Sequence, residues 1–443
     1  MKKILIVAEY FAPINAIPSI RVTKLAKYLK LHGYFVGVVS RKQRVNEISD
    51  PTLLDDLKYV DEHISVSESV FANSISYSYK SKNKSNIKPT SVNKISLLTK
   101  IINKINSTIM HTFKIYYKTL YYLTKSYSKR AEIFIKELCM HYDVIISSYG
   151  PFSAIHLGYV AKCNNSEIFW IADFRDPLII DWSFQGNQSH YNLLKNKIIK
   201  KADFITGVSD ACVEEFKSTF KDNIKVIYNG YDRDDIKDIE IKHNNKYSLS
   251  YAGGLYNGKR DLSIIFKAIS ELIKEEKIDK DYIEVNYLGN DGFIFLQQAD
   301  NYHILDICKS FGKVNRKESL QIQLNSHILL LASWNSSGDT GVITGKFIEY
   351  MMINKPIICT ITGNLPNSKL KEMIGAANNG VVWEQANNEL DYPIVKKYIH
   401  EQYKRFINGL SMEFNPNISY IEQYDYSNIT SMFIKIIEKK YNR

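Results

Sequence analysis

Cysteine is scarce and scattered. Five occur in 443 residues (Cys139, Cys163, Cys212, Cys308 and Cys359), odd in number and with no CxxC pair. That argues against a disulfide framework or a zinc site and fits a reducing cytosol. No uncharged apolar stretch approaches the ~18 residues needed to cross a bilayer. The opening MKKILIVAEYF has two lysines and an apolar run, but Glu9 ends the run too early for a signal-peptide core, so it reads as a first strand. Acid is missing altogether from Ser69 to Ala131. The same segment holds eleven lysines and Arg130, more positive charge than the net +11 of the whole chain. One segment therefore makes this protein basic, and any anionic partner surface is a question about that segment.

The rest is ordinary for a globular chain, at 45% hydrophobic and 24% charged residues. Its length exceeds what one hydrophobic core usually serves, so two domains are expected. KILIVA reads as a buried strand, EYFAPINAIPS as a loop, RVTKLAKYLKLHG as a helix stopped at Gly33, and YFVGVVS as a second strand. This order opens a doubly wound parallel sheet. Further strands are expected near 143–149, 168–174, 204–209 and 225–230. After a polar linker the pattern restarts with YSLSYAGGLYNG, the helical LSIIFKAISELIKE, the strands YIEVNYLGNDG and HILLLAS, the helical KFIEYMMIN and the strand KPIICTI. The expectation is an α/β chain of two Rossmann-like domains facing across a cleft. The first covers 1–230, with a basic helical insertion at about 80–130. The second covers 247–415, and a last helix in 416–443 crosses back to the first.

Two stretches of the second half carry chemistry. TGVITGKFIEYMMINKPII holds one acid, Glu349, among small, apolar or basic residues. A helix is expected to start near Gly345, so Thr344, Gly345 and Lys346 stand at a helix N-terminus, a natural place for a phosphate. Glu349 lies about one turn in, where its two oxygens suit the vicinal hydroxyls of a ribose. The structural alternative is an acid facing solvent or the helix dipole. In SYAGGLYNGKRD, Gly253 and Gly254 follow a strand directly, as a backbone approached closely by a ligand would, and Lys259 and Arg260 bring cations to the same loop. A plain tight turn is the alternative there.

Taken together these pieces resemble glycosyltransferase family 4, a family with the two-domain GT-B fold. The matching segments are KILIVAEYFAP, WIADFRDP, ADFITGVSDA, KVIYNGYD, YAGGLYNGKRD and GKFIEYMMINKPI, in family order over nearly the whole chain. The resemblance implies a retaining transfer of a sugar from a nucleoside diphosphate to a glycan or lipid-linked acceptor, of the kind that builds bacterial surface polysaccharides. It implies no metal ion in the transfer and no cofactor beyond the nucleotide-sugar itself, a UDP-sugar ahead of a GDP-sugar. Glu349 matches the glutamate that binds the donor ribose, and Lys259 the lysine that neutralises the diphosphate. Gly254 stands where a companion arginine is usual, with Arg260 as its substitute. Gly341 stands in place of a first glutamate, with Asp339 close but out of register. Asn15 and Ala16 replace the glycine pair of the N-terminal loop at the acceptor and phosphate face. A nucleotide-sugar epimerase and a non-catalytic member that binds nucleotide or a partner are the rival functions.

For the acceptor side, Asp173 and Arg175 in WIADFRDP leave a strand end that points to the active face. Asp173 would orient an acceptor hydroxyl, and Arg175 would hold an acceptor phosphate or the aspartates. The alternative is an Asp–Arg pair that ties loops together. Tyr149 and Gly150 are weaker candidates on the same rim, and His156 on its apolar helix reads as a core histidine. The run DRDD at 232–235 resembles a metal-binding DxD but reads as a solvated hinge. In residues 94–130 apolar and basic positions fall on opposite helix faces. That fits a helix packed on the first domain, an anionic membrane surface met by the lysines, or an embedded apolar face. No recognition motif supports nucleic acid. The implied location is cytoplasmic, with peripheral attachment to the inner face of the cytoplasmic membrane as an option.

Overall fold

The computed structural model describes residues 1–45, 47–68, 116–178, 194–242, 244–338 and 344–441, with the backbone alone for 116–125 and 194. The basic stretch up to residue 115 and residues 339–343, with Asp339 and Gly341, lie outside them. The chain divides into two compact units, residues 1–228 with 430–443, and residues 229–429.

In the first unit the described residues form a seven-stranded sheet. Its strands are β1 (Lys3–Ala8), β2 (Phe35–Arg41), β3 (Glu62–Val66), β4 (Val144–Tyr149), β5 (Phe169–Phe174), β6 (Phe204–Gly207) and β7 (Ile224–Val226). Their order is β3-β2-β1-β4-β5-β6-β7, and every pairing is parallel. The central strands KILIVA, VIISSY and FWIADF are continuous runs rather than alternations, as strands buried on both faces require. The helix Tyr116–Leu138 packs through Tyr127, Ala131 and Ile135, spaced by four along one face. The Tyr127 hydroxyl donates to the Ala8 carbonyl at 3.2 Å, while Lys129 and Arg130 are exposed. The helix Ile17–Leu31 buries three cations. Arg21 meets Asp173, and Lys24 and Lys27 meet Asp56 at 2.7 and 3.7 Å. The C-terminal helix Tyr426–Tyr441 ends in this unit, where the Tyr441 hydroxyl donates to the Asp143 carbonyl at 2.9 Å.

The second unit holds a six-stranded parallel sheet, β8 (Tyr247–Ala252), β9 (Ile283–Leu288), β10 (Cys308–Ser310), β11 (Ile328–Trp334), β12 (Ile357–Thr362) and β13 (Gly380–Glu384). Its order is β10-β9-β8-β11-β12-β13. The helix Ser263–Lys274 buries Ile265, Phe266, Ile269 and Leu272, one face at helical spacing, against Leu249, Val285 and Leu330. Both units are thus doubly wound and Rossmann-like. In each the strand order reverses beside the first strand, between β1 and β4 and between β8 and β11, and that crevice at the carboxyl ends is where such sheets bind ligands. Among the described residues no helix is long and apolar enough to cross a membrane.

Candidate functional site

In the second unit the glycine pair sits at the reversal point, just past β8. Gly253 has φ +148°, a conformation that favours glycine, and its N–H donates to the Leu288 carbonyl at 2.9 Å. Gly254 differs. A Cβ on it would meet nothing nearer than 3.5 Å, so no contact within the protein requires a glycine there. Its N–H donates to no described acceptor. The bare backbone leaves room for something outside the chain.

The cations arrive by a left-handed turn, Tyr256, Asn257 and Gly258 at φ +50°, +54° and +86°. Arg260 is 9% exposed. Its guanidinium lies 4.4 Å from the Tyr256 ring and 5.5 Å from the Trp334 ring at the end of β11, so aromatic faces rather than an acid hold it. It forms no ion pair among the described residues, its Nη1 reaches the Gly254 carbonyl at 3.4 Å, and its Nε has no hydrogen-bond partner. Lys259 is exposed, with Nζ 5.3 Å from the Trp334 ring. The loop is pinned from β12, where Thr360 Oγ1 donates to the Asp261 carbonyl at 2.7 Å and Thr362 Oγ1 to the Lys259 carbonyl at 2.6 Å. The turn therefore gathers two cations and an open N–H, and Arg260 forms no ion pair among the described residues, which suits a diphosphate.

The helix Gly345–Ile353 begins as expected, with Thr344 at its N-cap accepting from the Phe347 N–H through Oγ1 at 3.3 Å. Glu349 is neither in open water nor alone. Lys346 Nζ donates to its Oε1 at 2.8 Å, and its side chain is 16% exposed. Burial alone would raise its pKa, but Lys346 and Arg316 outweigh burial and hold it below the ordinary value. Arg316 opens the helix Arg316–Asn325 and pairs with Asp235 at 2.7 Å. DRDD is therefore not a solvated hinge. Asp232 is 1% exposed and accepts from the Asp234 N–H at 3.0 Å, Asp235 anchors Arg316, and only Arg233 and Asp234 face water.

In the first unit Asp173 is the next-to-last residue of β5 and is 1% exposed. Its oxygens accept from Arg21 Nε at 2.9 Å, Arg21 Nη2 at 2.7 Å, Thr206 Oγ1 at 2.8 Å and Ser148 Oγ at 3.4 Å. Arg21 also donates to the Tyr228 and Ile227 carbonyls at 2.9 and 3.1 Å. Of the two sequence readings this is the geometry of the tie, with Arg21 as the partner in place of Arg175. Arg175 turns to the Gly150 carbonyl, and its Nε has no partner. Burial pulls its pKa down to about 10 against the pull of Asp176. Asp176 is exposed and forms no ion pair among the described residues. Gly150, at φ +114°, lies beside both, since a Cβ there would meet Arg175 Nη2 at 3.0 Å and Asp176 Oδ2 at 3.1 Å. Tyr149 is a core residue, 1% exposed and packed on Phe174 at 5.0 Å, and presents no surface to an acceptor. Asn15 is exposed and Ala16 is an N-cap with no side-chain hydrogen bond, so the first turn of Ile17–Leu31 lacks a side-chain cap there. His156 is not in the core. It is partly exposed and paired with Glu132 at 2.7 Å.

No family model and no curated protein sequence matches the chain. Solved structures do match. The apo form of the lipopolysaccharide outer core galactosyltransferase WaaB is similar with a TM-score of 0.54 at 12% identity, over 99% of both chains. Sucrose-phosphate synthase from Thermosynechococcus elongatus gives 0.57 at 10%, over 100% of both. A trehalose-6-phosphate protein from E. coli, bound with UDP-2-fluoro glucose, gives 0.55 at 12%, over 98% of both. This is the GT-B fold. At such identities the likeness is one of fold, and the GT-B frame puts no role on any single side chain.

The sequence did not single out Arg21, Tyr256, Trp334, Asp291 or Arg316. Arg21 and Arg316 left no signal of their own, since Arg21 shares its helix with Lys24, Lys27 and Lys30 and Arg316 stands beside Lys317. Trp334 left a faint one, as a tryptophan closing the run ILLLAS.

Proposed function

We propose that the protein is a retaining glycosyltransferase that takes a nucleoside-diphosphate sugar at the Gly253–Arg260 turn and passes the sugar to a glycan or lipid-linked acceptor in surface-polysaccharide assembly. The observation that carries this is the turn itself, which combines the open Gly254 N–H, an Arg260 with no ion pair among the described residues and the exposed Lys259 at the reversal point of a GT-B unit. As the glycosidic bond breaks, charge gathers on the leaving diphosphate, and preoriented cations stabilise it most at that moment. Glu349, kept ionised by Lys346 and Arg316, accepts from the ribose hydroxyls. On the acceptor side Arg175 and Gly150 remain candidates, and Asp173 acts by fixing the strand end from which Arg175 departs.

The test is product analysis by NMR after incubation with UDP-, GDP- and dTDP-sugars and a glycan or polyprenyl-phosphate acceptor. A new glycoside with the donor's anomeric configuration is expected. An isomerised nucleotide-sugar would indicate the epimerase alternative, and binding without turnover a non-catalytic member. Because Lys259 and Arg260 supply the charge in this account, EDTA should leave the transfer rate largely intact. Activity that disappears with chelator and returns with manganese would contradict it.

Membrane attachment belongs to the same proposal. The basic stretch 80–115 lies outside the described residues, and the charge pattern alone supports the idea. Each lysine near an anionic surface contributes on the order of 1 kcal/mol. Flotation with anionic liposomes should carry the protein at low salt and release it at high salt. Changing Lys100, Lys104, Lys114 and Lys118 together to Gln should weaken flotation. Protein that stays below anionic vesicles at low salt would rule the attachment out.

A further inference from the structure

Asp291 stands at the N-cap position of the helix Gly292–Asp300, where an aspartate ordinarily accepts from the first turn of its own helix. It makes no such bond. Its Oδ2 takes the Leu255 N–H at 2.6 Å instead, and it forms no ion pair among the described residues. Its own N–H donates to the Tyr287 hydroxyl at 3.0 Å, and that hydroxyl donates to the Gly253 carbonyl at 2.9 Å. Tyr251, stacked on Tyr287 at 6.0 Å and 10°, donates to the Gly254 carbonyl at 2.9 Å. Space is closed behind the turn, since a Cβ on Gly289 would lie 2.4 Å from the Gly253 carbonyl oxygen.

These contacts act through the planarity of the peptide bond. In a trans peptide the C=O of one residue and the N–H of the next point in opposite directions. The Gly253 carbonyl and the Gly254 N–H share one peptide, so the hydroxyl that holds the carbonyl inward turns the N–H outward. The Asp291 N–H fills the acceptor side of that hydroxyl and leaves its hydrogen for Gly253. The next peptide is held at both ends, by Tyr251 at the Gly254 carbonyl and by the Asp291 carboxylate at the Leu255 N–H.

We infer that Asp291 and Tyr287 are positioning residues for an anionic diphosphate, and that their relay aims the Gly254 N–H at it. The relay acts only if the glycine turn is the donor site, as proposed above. The probe is UDP or GDP, whichever the parent protein binds, titrated calorimetrically into the parent, Tyr287→Phe, Asp291→Ala and Asp291→Asn, with the melting temperature of each. Tyr287→Phe and Asp291→Ala should raise Kd about three- to tenfold, the range for one hydrogen bond. Asp291→Asn keeps an acceptor oxygen for Leu255 and should recover most of the loss, which a purely structural role would not separate from the alanine variant at matched melting temperature. In turnover, donor KM should rise while acceptor KM stays put. Unchanged Kd in Tyr287→Phe and Asp291→Ala, or a loss in Asp291→Ala that asparagine does not rescue, would overturn the relay and leave the donor site standing. A parent protein that binds neither diphosphate would overturn both.

Discussion

Replacing Asp173 by alanine is expected to cost about 3–5 kcal/mol of folding stability, the range for breaking a buried ion pair by removing one partner. Arg21 would remain at 2% side-chain exposure with its carboxylate gone, and Thr206 and Ser148 would lose their acceptor. An uncompensated guanidinium in that position is more costly than a cavity. Thermal denaturation should show a Tm lower by on the order of 10 °C for a unit of this size. Asp173→Asn keeps the shape and an acceptor oxygen and should fall between. If Asp173 instead served only to orient an acceptor hydroxyl, Asp173→Ala would abolish transfer with an unchanged melting curve.

The second large effect is on nucleotide binding. Glu349→Ala and Lys259→Ala should each weaken UDP or GDP binding by about 1–3 kcal/mol, the range for losing a charge-assisted hydrogen bond, which is roughly five- to 150-fold in Kd. Stability should change less, because Lys259 is exposed and Glu349 has only Lys346 within ion-pair distance among the described residues. The pH dependence follows from the sign of the Glu349 shift. Its pKa in the folded protein is depressed below 4.5, so its contribution is full above the unfolded-state value and is lost as pH falls through the folded one. Binding measured between pH 5.5 and 8 should therefore show no step from this carboxylate. A step in that range which Glu349→Gln removes would mean that burial outweighs Lys346 and Arg316 after all.

What was legible in the sequence follows from what is local. KILIVA and ILLLAS announce themselves as dense apolar runs, the mark of strands buried on both faces, while VIISSY and YSLSYA were read from their shorter apolar and aromatic stretches. The helix that carries Glu349 was readable from its small and apolar residues. The strands β3, β10 and β13 were not, because EHISV, CKS and GVVWE lie at sheet edges, covered on one side and mixed in polarity. Glycine followed by glycine marked the turn proposed here as the donor site, but not the residues that shape it. Asp291 reaches Leu255 across 36 positions and Arg21 reaches Asp173 across 152, so no spacing in the sequence signals either pair. The same non-locality explains DRDD. Four charged residues in a row look solvated, until Arg316 of a later helix takes one of them inside.

The most direct test of the account is a thermal-shift titration of the parent chain and the Lys259→Ala, Glu349→Ala double variant with UDP-, GDP- and dTDP-sugars. A ligand held only by the folded state at 100 times its Kd adds about 2.7 kcal/mol. One class of nucleotide-sugar should therefore raise the parent's melting temperature by several degrees and leave the double variant unmoved at the same concentration. A parent that responds to none of them, or a double variant that responds as fully as the parent, would contradict a donor site at the Gly253–Arg260 turn.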